Sequence, residues 1–282
     1  MNIEKILPNN GPSIDEVKKY IDKYSEDIIV IKCGGSVLLN KNLFNQFIED
    51  ICVINKLGLS VVVIHGGGKN IKKKLDEQNI ETNFIDGLRV TDEKTIQVVE
   101  EALLELNSQI IDKINYIQSN GYSINPKKNN IITVKAEKKE LGYVGSPVSI
   151  NKDEITNAIK FNYIPIIVPM GIGNDKKLYN INADIAAGSI AKELKSRRLL
   201  LMTDVEGVLD QDKNLISEIN SDVAKKMIEN QTISGGMIPK INTCLDAVNN
   251  GVIGVVIVDG RKPHSILFEL FSDKGAGTLI RK

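Results

Sequence analysis

Apolar residues follow two alternating patterns along the chain. Short unbroken apolar runs are separated by longer stretches in which apolar side chains recur every three or four residues. The first pattern marks strands buried on both faces, and the second marks amphipathic helices. Residues 27–33 (DIIVIKC), 60–65 (SVVVIH), 164–168, 198–203 and 254–259 are of the first kind. Residues 42–57 are of the second, with Leu43, Phe47, Ile51 and Ile54 on one face. The same spacing predicts helices over 13–24, 69–78, 91–119, 182–194, 221–229, 237–249 and 263–271. Thr91 is the expected opener of the long helix, with Glu93 and Lys94 in its first turn. Residues 131–150 alternate and contain Gly142, Gly145 and Pro147, which suggests a β-hairpin. Residues 277–280 read as a closing strand.

Strand–helix alternation of this kind implies an α/β fold with a mostly parallel central sheet in a three-layer αβα sandwich. Ligands in such sheets bind beyond the carboxyl ends of the strands. Residues 1–26 precede the first core strand and form an N-terminal extension. Its helix would cap the fold or reach a neighbouring subunit.

Composition narrows the chemistry. The 282 residues, 42% hydrophobic, suit one large domain or two modest lobes. The 36 basic and 36 acidic residues cancel, so charge offers no reason to expect nucleic acid or an anionic membrane as partner. No apolar run approaches the roughly 18 residues of a membrane span. Cys33, Cys52 and Cys244 are scattered without a CxxC pair, and a reducing cytosol is the expected setting. The only histidines are His65 and His264, which leaves little room for a histidine triad or a His-rich metal site.

The polar residues that stand out lie where strands end. The first strand runs into Lys32-Cys33-Gly34-Gly35, and the second into His65-Gly66-Gly67-Gly68. Glycines followed by a helix expose backbone N–H groups beside a partial positive charge, which suits phosphate or carboxylate. The alternative is a pair of tight turns with no ligand. GxxxxGK[ST] and a GxGxxG after the first strand are both absent, against a P-loop or a dinucleotide-binding Rossmann site. Arg89, just ahead of a helix, could grip a carboxylate bidentately or be a surface arginine. Asn182 and Asp184 could be an ordinary helix start or part of a site. Lys240 lies in the first turn of a helix, where a cation is normally disfavoured; a phosphate partner would explain it, as would solvation.

In this order the segments HGGG at 65–68, GLRVTD at 87–92, NINAD at 180–184, TDVEGVLD at 203–210 and SGGMIPK at 234–240 resemble the amino acid kinase family. Within it the resemblance is to the kinases of N-acetyl-L-glutamate, and it covers nearly all of residues 27–282. It implies an amino-acid lobe at 27–195 and a nucleotide lobe at 196–282. It also implies ATP-dependent phosphorylation of the γ-carboxylate of N-acetyl-L-glutamate, the second step of arginine biosynthesis. Lys32 and Lys240 would neutralise the transferring phosphoryl group, and Asp184 would hold both. Gly67, Gly68, Arg89 and Asn180 would bind the acetylated amino acid. Gly34, Gly35, Asp204, Val205, Glu206, Gly207, Val208, Leu209, Thr232, Ile233, Ser234, Gly235 and Gly236 would meet the nucleotide. Mg2+ would be carried by the ATP phosphates, with no metal site of the protein's own. A homo-oligomer, dimer or hexamer, and an arginine effector bound near His264, Glu269 and Gly275 are further expectations. The chain departs from the family pattern at Leu104-Glu105-Leu106-Asn107, at residues 125–130 and at Lys69. The competing readings are a sibling carboxylate kinase, acting on N-acetyl-aminoadipate or a carrier-bound amino acid, and a non-catalytic arginine-sensing subunit.

Overall fold

The computed structural model describes residues 3–282; Met1 and Asn2, part of the expected extension, lie outside the described residues. In chain order the elements are α1 (Ile14–Tyr24), β1 (Ile28–Cys33), α2 (Lys41–Lys56), β2 (Ser60–His65), α3 (Gly68–Glu77), β3 (Phe84–Ile85), β4 (Leu88–Arg89) and α4 (Glu93–Tyr116). They continue with β5 (Gly121–Ile124), β6 (Ile132–Ala136), β7 (Gly145–Ile150), α5 (Asp153–Lys160), β8 (Ile164–Ile167), β9 (Met170–Gly173), β10 (Leu178–Asn180) and α6 (Ala183–Glu193). The last part holds β11 (Arg198–Thr203), β12 (Glu218–Asn220), α7 (Ser221–Glu229), α8 (Met237–Asn249), β13 (Gly254–Asp259), α9 (Ser265–Phe271) and β14 (Gly277–Arg281).

Eight strands form the central sheet in the order β12-β14-β13-β11-β1-β2-β8-β5. Its core is parallel; β14 runs antiparallel to β13, and β12 runs with β14. The unbroken apolar runs follow from burial on both faces. Val30, Leu199, Leu201, Val255 and Ile257 feed one hydrophobic cluster, together with α6, α7 and α8. Their neighbours Ile29, Ile31, Leu200, Met202, Val256 and Val258 feed the opposite cluster, under α1, α2, α9 and the far half of α4. A period of two with both faces covered leaves no polar position inside the strand, which is the three-layer arrangement.

A smaller sheet, β10-β9-β6-β7, holds the expected hairpin as β6 and β7. The strands β3, β4, β5, β9, β10 and β12 and the helix α5 were not legible in the apolar pattern. The strands are only two to four residues long, too short to show a period, and β4, β5, β10 and β12 also mix polar with apolar side chains. Their pairing supplies what the local sequence does not. The long helix is opened by Asp92 rather than Thr91: the Asp92 carboxylate accepts from the Thr95 N–H at 2.8 Å. Thr91 is buried and donates its hydroxyl to the Arg89 carbonyl at 2.8 Å.

The division expected at 195/196 falls between α6 and β11, and β11 pairs directly with β1, so one sheet crosses it. The seam of β13 and β14 is tight: a Cβ at Gly277 would lie 2.0 Å from the Ile257 carbonyl oxygen. Gly277→Ala is therefore expected to cost about 2 kcal/mol or more, because backbone cannot yield as a side chain can. Calorimetry should register this as a midpoint lower by about 5 °C.

Candidate active site

The carboxyl ends of β1, β2 and β11 meet where the strand order reverses. β1 continues to β2 on one side, while β11 joins on the other, so loops after these strands part and leave a crevice. Lys32, on β1, reaches across it to Asp184 with Nζ 3.0 Å from Oδ1, a close ion pair rather than a well-aligned hydrogen bond. Lys240, in the first turns of α8, donates to Asp184 Oδ2 at 2.5 Å. Both lysine side chains are 13% exposed and the Asp184 side chain 18%. Burial alone would push the Asp184 carboxyl up, but the two ammonium groups outweigh it and hold the group at about 2. The site thus sets two lysines against one carboxylate, an excess of basic groups beside the cleft.

Local structure explains how this carboxylate is presented. Asn182 caps α6, accepting from the N–H groups of Asp184 at 2.9 Å and Ile185 at 3.3 Å. Asp184 then lies in the first turn, where the helix dipole favours an anion. Gly34 makes room for the lysine: a Cβ there would lie 2.8 Å from Lys32 Nζ and displace the ammonium. Gly35 has φ of +63° and packs against Asp204, whose Oδ1 accepts from the Ser36 N–H at 2.9 Å.

Lys32, Gly34, Gly35, Gly67, Gly68, Arg89, Asn180 and Asp184 line one cleft. The two glycine turns are tied by a hydrogen bond from the Gly66 N–H to the Cys33 carbonyl at 2.6 Å. Gly67 stands at the N-cap of α3 and offers no side-chain cap, so the helix's first N–H groups are available to an anion. Arg89 is only 8% exposed. It stacks on Phe84 with 4.7 Å from guanidinium carbon to ring centroid, and donates to the Gly68 carbonyl at 3.1 Å. Sequence reasoning passed over Phe84, Leu103, Val144 and Pro169, which with Leu88 of the GLRVTD segment supply the apolar wall of the same cleft. The β3–β4 hairpin that pairs Phe84 with Arg89 is too short for its pattern to reveal.

The segments assigned to nucleotide lie beside this cleft, at the end of β11 and the start of α8. Val205, Glu206, Ser234, Gly235 and Gly236 are exposed, whereas Val208 and Ile233 are buried in the core cluster and Gly207 is buried beside them. The Val208 N–H donates to Thr278 Oγ1 at 2.9 Å, and a Cβ at Gly207 would lie 2.6 Å from that oxygen. Leu209 pairs with Leu215, and the Thr232 N–H donates to Asn230 Oδ1 at 3.1 Å. Lys69 faces this side too, 3.9 Å from Asp204.

Of the effector residues, Glu269 and Gly275 are brought together: a Cβ at Gly275 would lie 2.8 Å from Glu269 Oε2. Burial pushes the Glu269 carboxyl up. His264 is turned away, with Nδ1 2.6 Å from Asp50 Oδ1 under α2. The hydrogen bond to Asp50 raises the imidazole above its ordinary value, and burial raises Asp50 to about 6 despite that bond. Since the folded imidazole titrates above its unfolded value near 6.5, its stabilisation is complete below about pH 6.5. That stabilisation is lost as pH rises through the folded value. A chemical-denaturation series should show this slope in the wild type and a flatter one in Asp50→Asn.

The pattern that defines the amino acid kinase family matches residues 27–259. The chain belongs to this family. An acetylglutamate kinase of Pelagibacter ubique (strain HTCC1062) is 56% identical over 277 residues, spanning 98% of this chain and 96% of that one. A solved Streptococcus mutans UA159 structure is 30% identical, with a TM-score of 0.76 over 90% of this chain and 98% of that one. An N-acetylglutamate synthase of Neisseria gonorrhoeae, solved with coenzyme A and N-acetyl-glutamate, has a TM-score of 0.86 at 23% identity. The match covers 96% of this chain but 64% of that longer one, and it shows a shared fold.

Proposed function

We propose that this chain transfers the γ-phosphoryl group of ATP to the side-chain carboxylate of N-acetyl-L-glutamate, as its acetylglutamate kinase relatives are named for doing. The observation that carries the reading is the pair of lysines bridged by Asp184 at the strand ends. Phosphoryl transfer depends on positioning and charge neutralisation rather than on covalent help. The acceptor is already an anion, so no general base is needed, which agrees with a cleft whose charged lining residues are Lys32, Arg89 and Asp184, with Lys240 paired to Asp184 beside it.

In this reading Lys32 and Lys240 offset charge on the transferring group, and Asp184 keeps them apart and aimed. Arg89 and Asn180 take the acceptor's α-carboxylate, and the glycine N–H groups take anionic oxygens. Nucleotide would lie along Asp204–Leu209 and Thr232–Gly236, with Val208 and Ile233 contributing backbone only. Mg2+ fits as a passenger on ATP: both Asp184 oxygens face ammonium groups, and magnesium usually keeps waters and substrate phosphates as ligands. When bound it would neutralise phosphate charge.

The finer expectations join this proposal. The boundary at 195/196 would divide the acceptor contacts from the nucleotide segments at 204–209 and 232–236, with Gly34 and Gly35 reaching the nucleotide from the acceptor side. Among the described residues no helix is long and apolar enough to cross a membrane, and all three cysteines are free and buried. A cytosolic setting agrees with both. Helix α1 packs on the chain's own α9, with Tyr24 edge-on to Phe271 and Lys19 2.6 Å from Asp273. An arginine effector would lie beside this contact, near Glu269 and Gly275. A homo-oligomer is proposed with it. Calorimetric heat on adding arginine, with a mass above the monomer's, supports this; no heat and a monomeric mass contradict it.

The test of the acceptor is ADP release from Mg-ATP with N-acetyl-L-glutamate, glutamate, N-acetyl-aminoadipate, aspartate and UMP. Turnover confined to N-acetyl-L-glutamate is expected. Turnover confined to another acceptor would refute the assignment and direct attention to Leu104 and residues 125–130.

A further inference from the structure

We propose that His65 and Asn107 form a buried positioning relay that aims the Gly67 N–H into the cleft, at an oxygen of the transferring phosphoryl group. The inference rests on the kinase reading above. It assigns work to a histidine that the reading otherwise leaves idle.

His65 ends β2 and is fully buried. Its Nδ1 lies 2.9 Å from the Gly66 carbonyl oxygen, which can only accept, so Nδ1 carries the proton. Nε2 is then bare, and it faces Asn107 Nδ2 at 3.3 Å. The Asn107 amide is itself oriented. Its Nδ2 also donates to the Ile166 carbonyl at 3.1 Å, and its Oδ1 accepts from Ser123 Oγ at 2.5 Å. Asn125 Nδ2 donates to the same Ser123 oxygen at 3.0 Å. Burial holds the imidazole at about 4, so the ring is neutral at working pH and is not a proton carrier.

The Gly66 carbonyl and the Gly67 N–H belong to one planar trans peptide and point in opposite directions. Tethering the carbonyl to His65 therefore sends the N–H the other way, toward the cleft lined by Gly66, Gly67 and Gly68. The preceding peptide is held by the Gly66 N–H bond to Cys33 O at 2.6 Å. The Gly67 N–H finds no acceptor among the described residues. Behind the turn, a Cβ at Gly67 would lie 2.4 Å from Leu103 Cδ2, one helical turn from Asn107 on α4. One helix face thus both supports the glycine and fixes the ring. A donor fixed before reaction requires no reorganisation as charge develops, which is where such groups act.

The test compares His65→Asn with His65→Gln. The asparagine amide places an N–H near the position of Nδ1, whereas the glutamine amide places it near Nε2 and fills more of the ring's volume. The relay predicts that His65→Asn keeps kcat within about tenfold of wild type while His65→Gln loses about thirtyfold or more, with KM for ATP within about twofold in both. A packing role predicts the reverse order, following the melting temperatures. Should neither variant fold, Asn107→Asp decides. It is nearly isosteric and keeps the Ser123 bond, but its carboxylate draws the ring's single proton onto Nε2 and leaves Nδ1 bare against the Gly66 carbonyl. Its kcat should fall about tenfold or more at unchanged KM for ATP. Wild-type turnover on N-acetyl-L-glutamate is measured first, and its absence overturns the kinase reading and the relay with it. Wild-type turnover with His65→Gln as active as His65→Asn, or with Asn107→Asp at wild-type kcat, overturns the relay alone.

Discussion

Lys32→Ala is expected to lower kcat by about a hundredfold or more while KM for ATP moves by less than about threefold. The side chain lies at the end of a central strand, largely shielded from water, and aims its charge at the point where β1, α6 and α8 converge. A cation fixed there interacts most strongly with charge that develops in the transition state, so its loss is felt in turnover. Nucleotide binding draws on other segments and should survive. Lys32→Arg should fare little better, because a Cβ at Gly34 would already touch the ammonium and a guanidinium is larger. Steady-state kinetics on both variants give the answer. A kcat near that of wild type in Lys32→Ala would remove the residue from the phosphoryl-transfer step.

The second large effect concerns the acceptor. Arg89→Ala should raise KM for N-acetyl-L-glutamate by about tenfold to a hundredfold, the worth of a charged hydrogen bond in a shielded site. KM for ATP should stay the same. Arg89 is braced on two sides, by the Phe84 ring and the Gly68 carbonyl, so its guanidinium plane is set before ligand arrives. Arg89→Lys keeps the charge but loses the fork and the stacking, and it should recover only a small part of the loss. An unchanged acceptor KM in Arg89→Ala would move the α-carboxylate elsewhere, with Asn180 the next residue to replace.

The long buried strands and the large helices were legible because their burial is written in periodicity. Residues 198–203 and 254–259 coincide with β11 and β13, and Asn182 caps α6 as its residue type suggests. The edge and hairpin strands were hidden for a physical reason. Phe84 and Ile85 make a strand only because Leu88 and Arg89 lie opposite them. The chemical residues were legible as types at strand ends, yet their grouping was not. Nothing local to Lys32, Asp184 or Lys240 reveals that one carboxylate joins two lysines from distant segments; the sheet order does that. His264 was grouped with Glu269 and Gly275 through the family resemblance alone, and that its ring meets Asp50 on α2 becomes apparent only in the fold. Asn107 was noticed only as part of an unusual stretch, and its buried bonds to His65, Ile166 and Ser123 become apparent once β5 and β8 are in place beside β2.

The central claim is that this cleft joins a phosphoryl group to a carboxylate, and trapping of the acyl phosphate tests it most directly. Purified protein is incubated with Mg-ATP, N-acetyl-L-glutamate and hydroxylamine, and hydroxamate and ADP are quantified together. The account predicts hydroxamate formed in step with ADP, and neither product when the acceptor is omitted. ADP without hydroxamate would mean that phosphate goes to water or to another group, and would contradict the account.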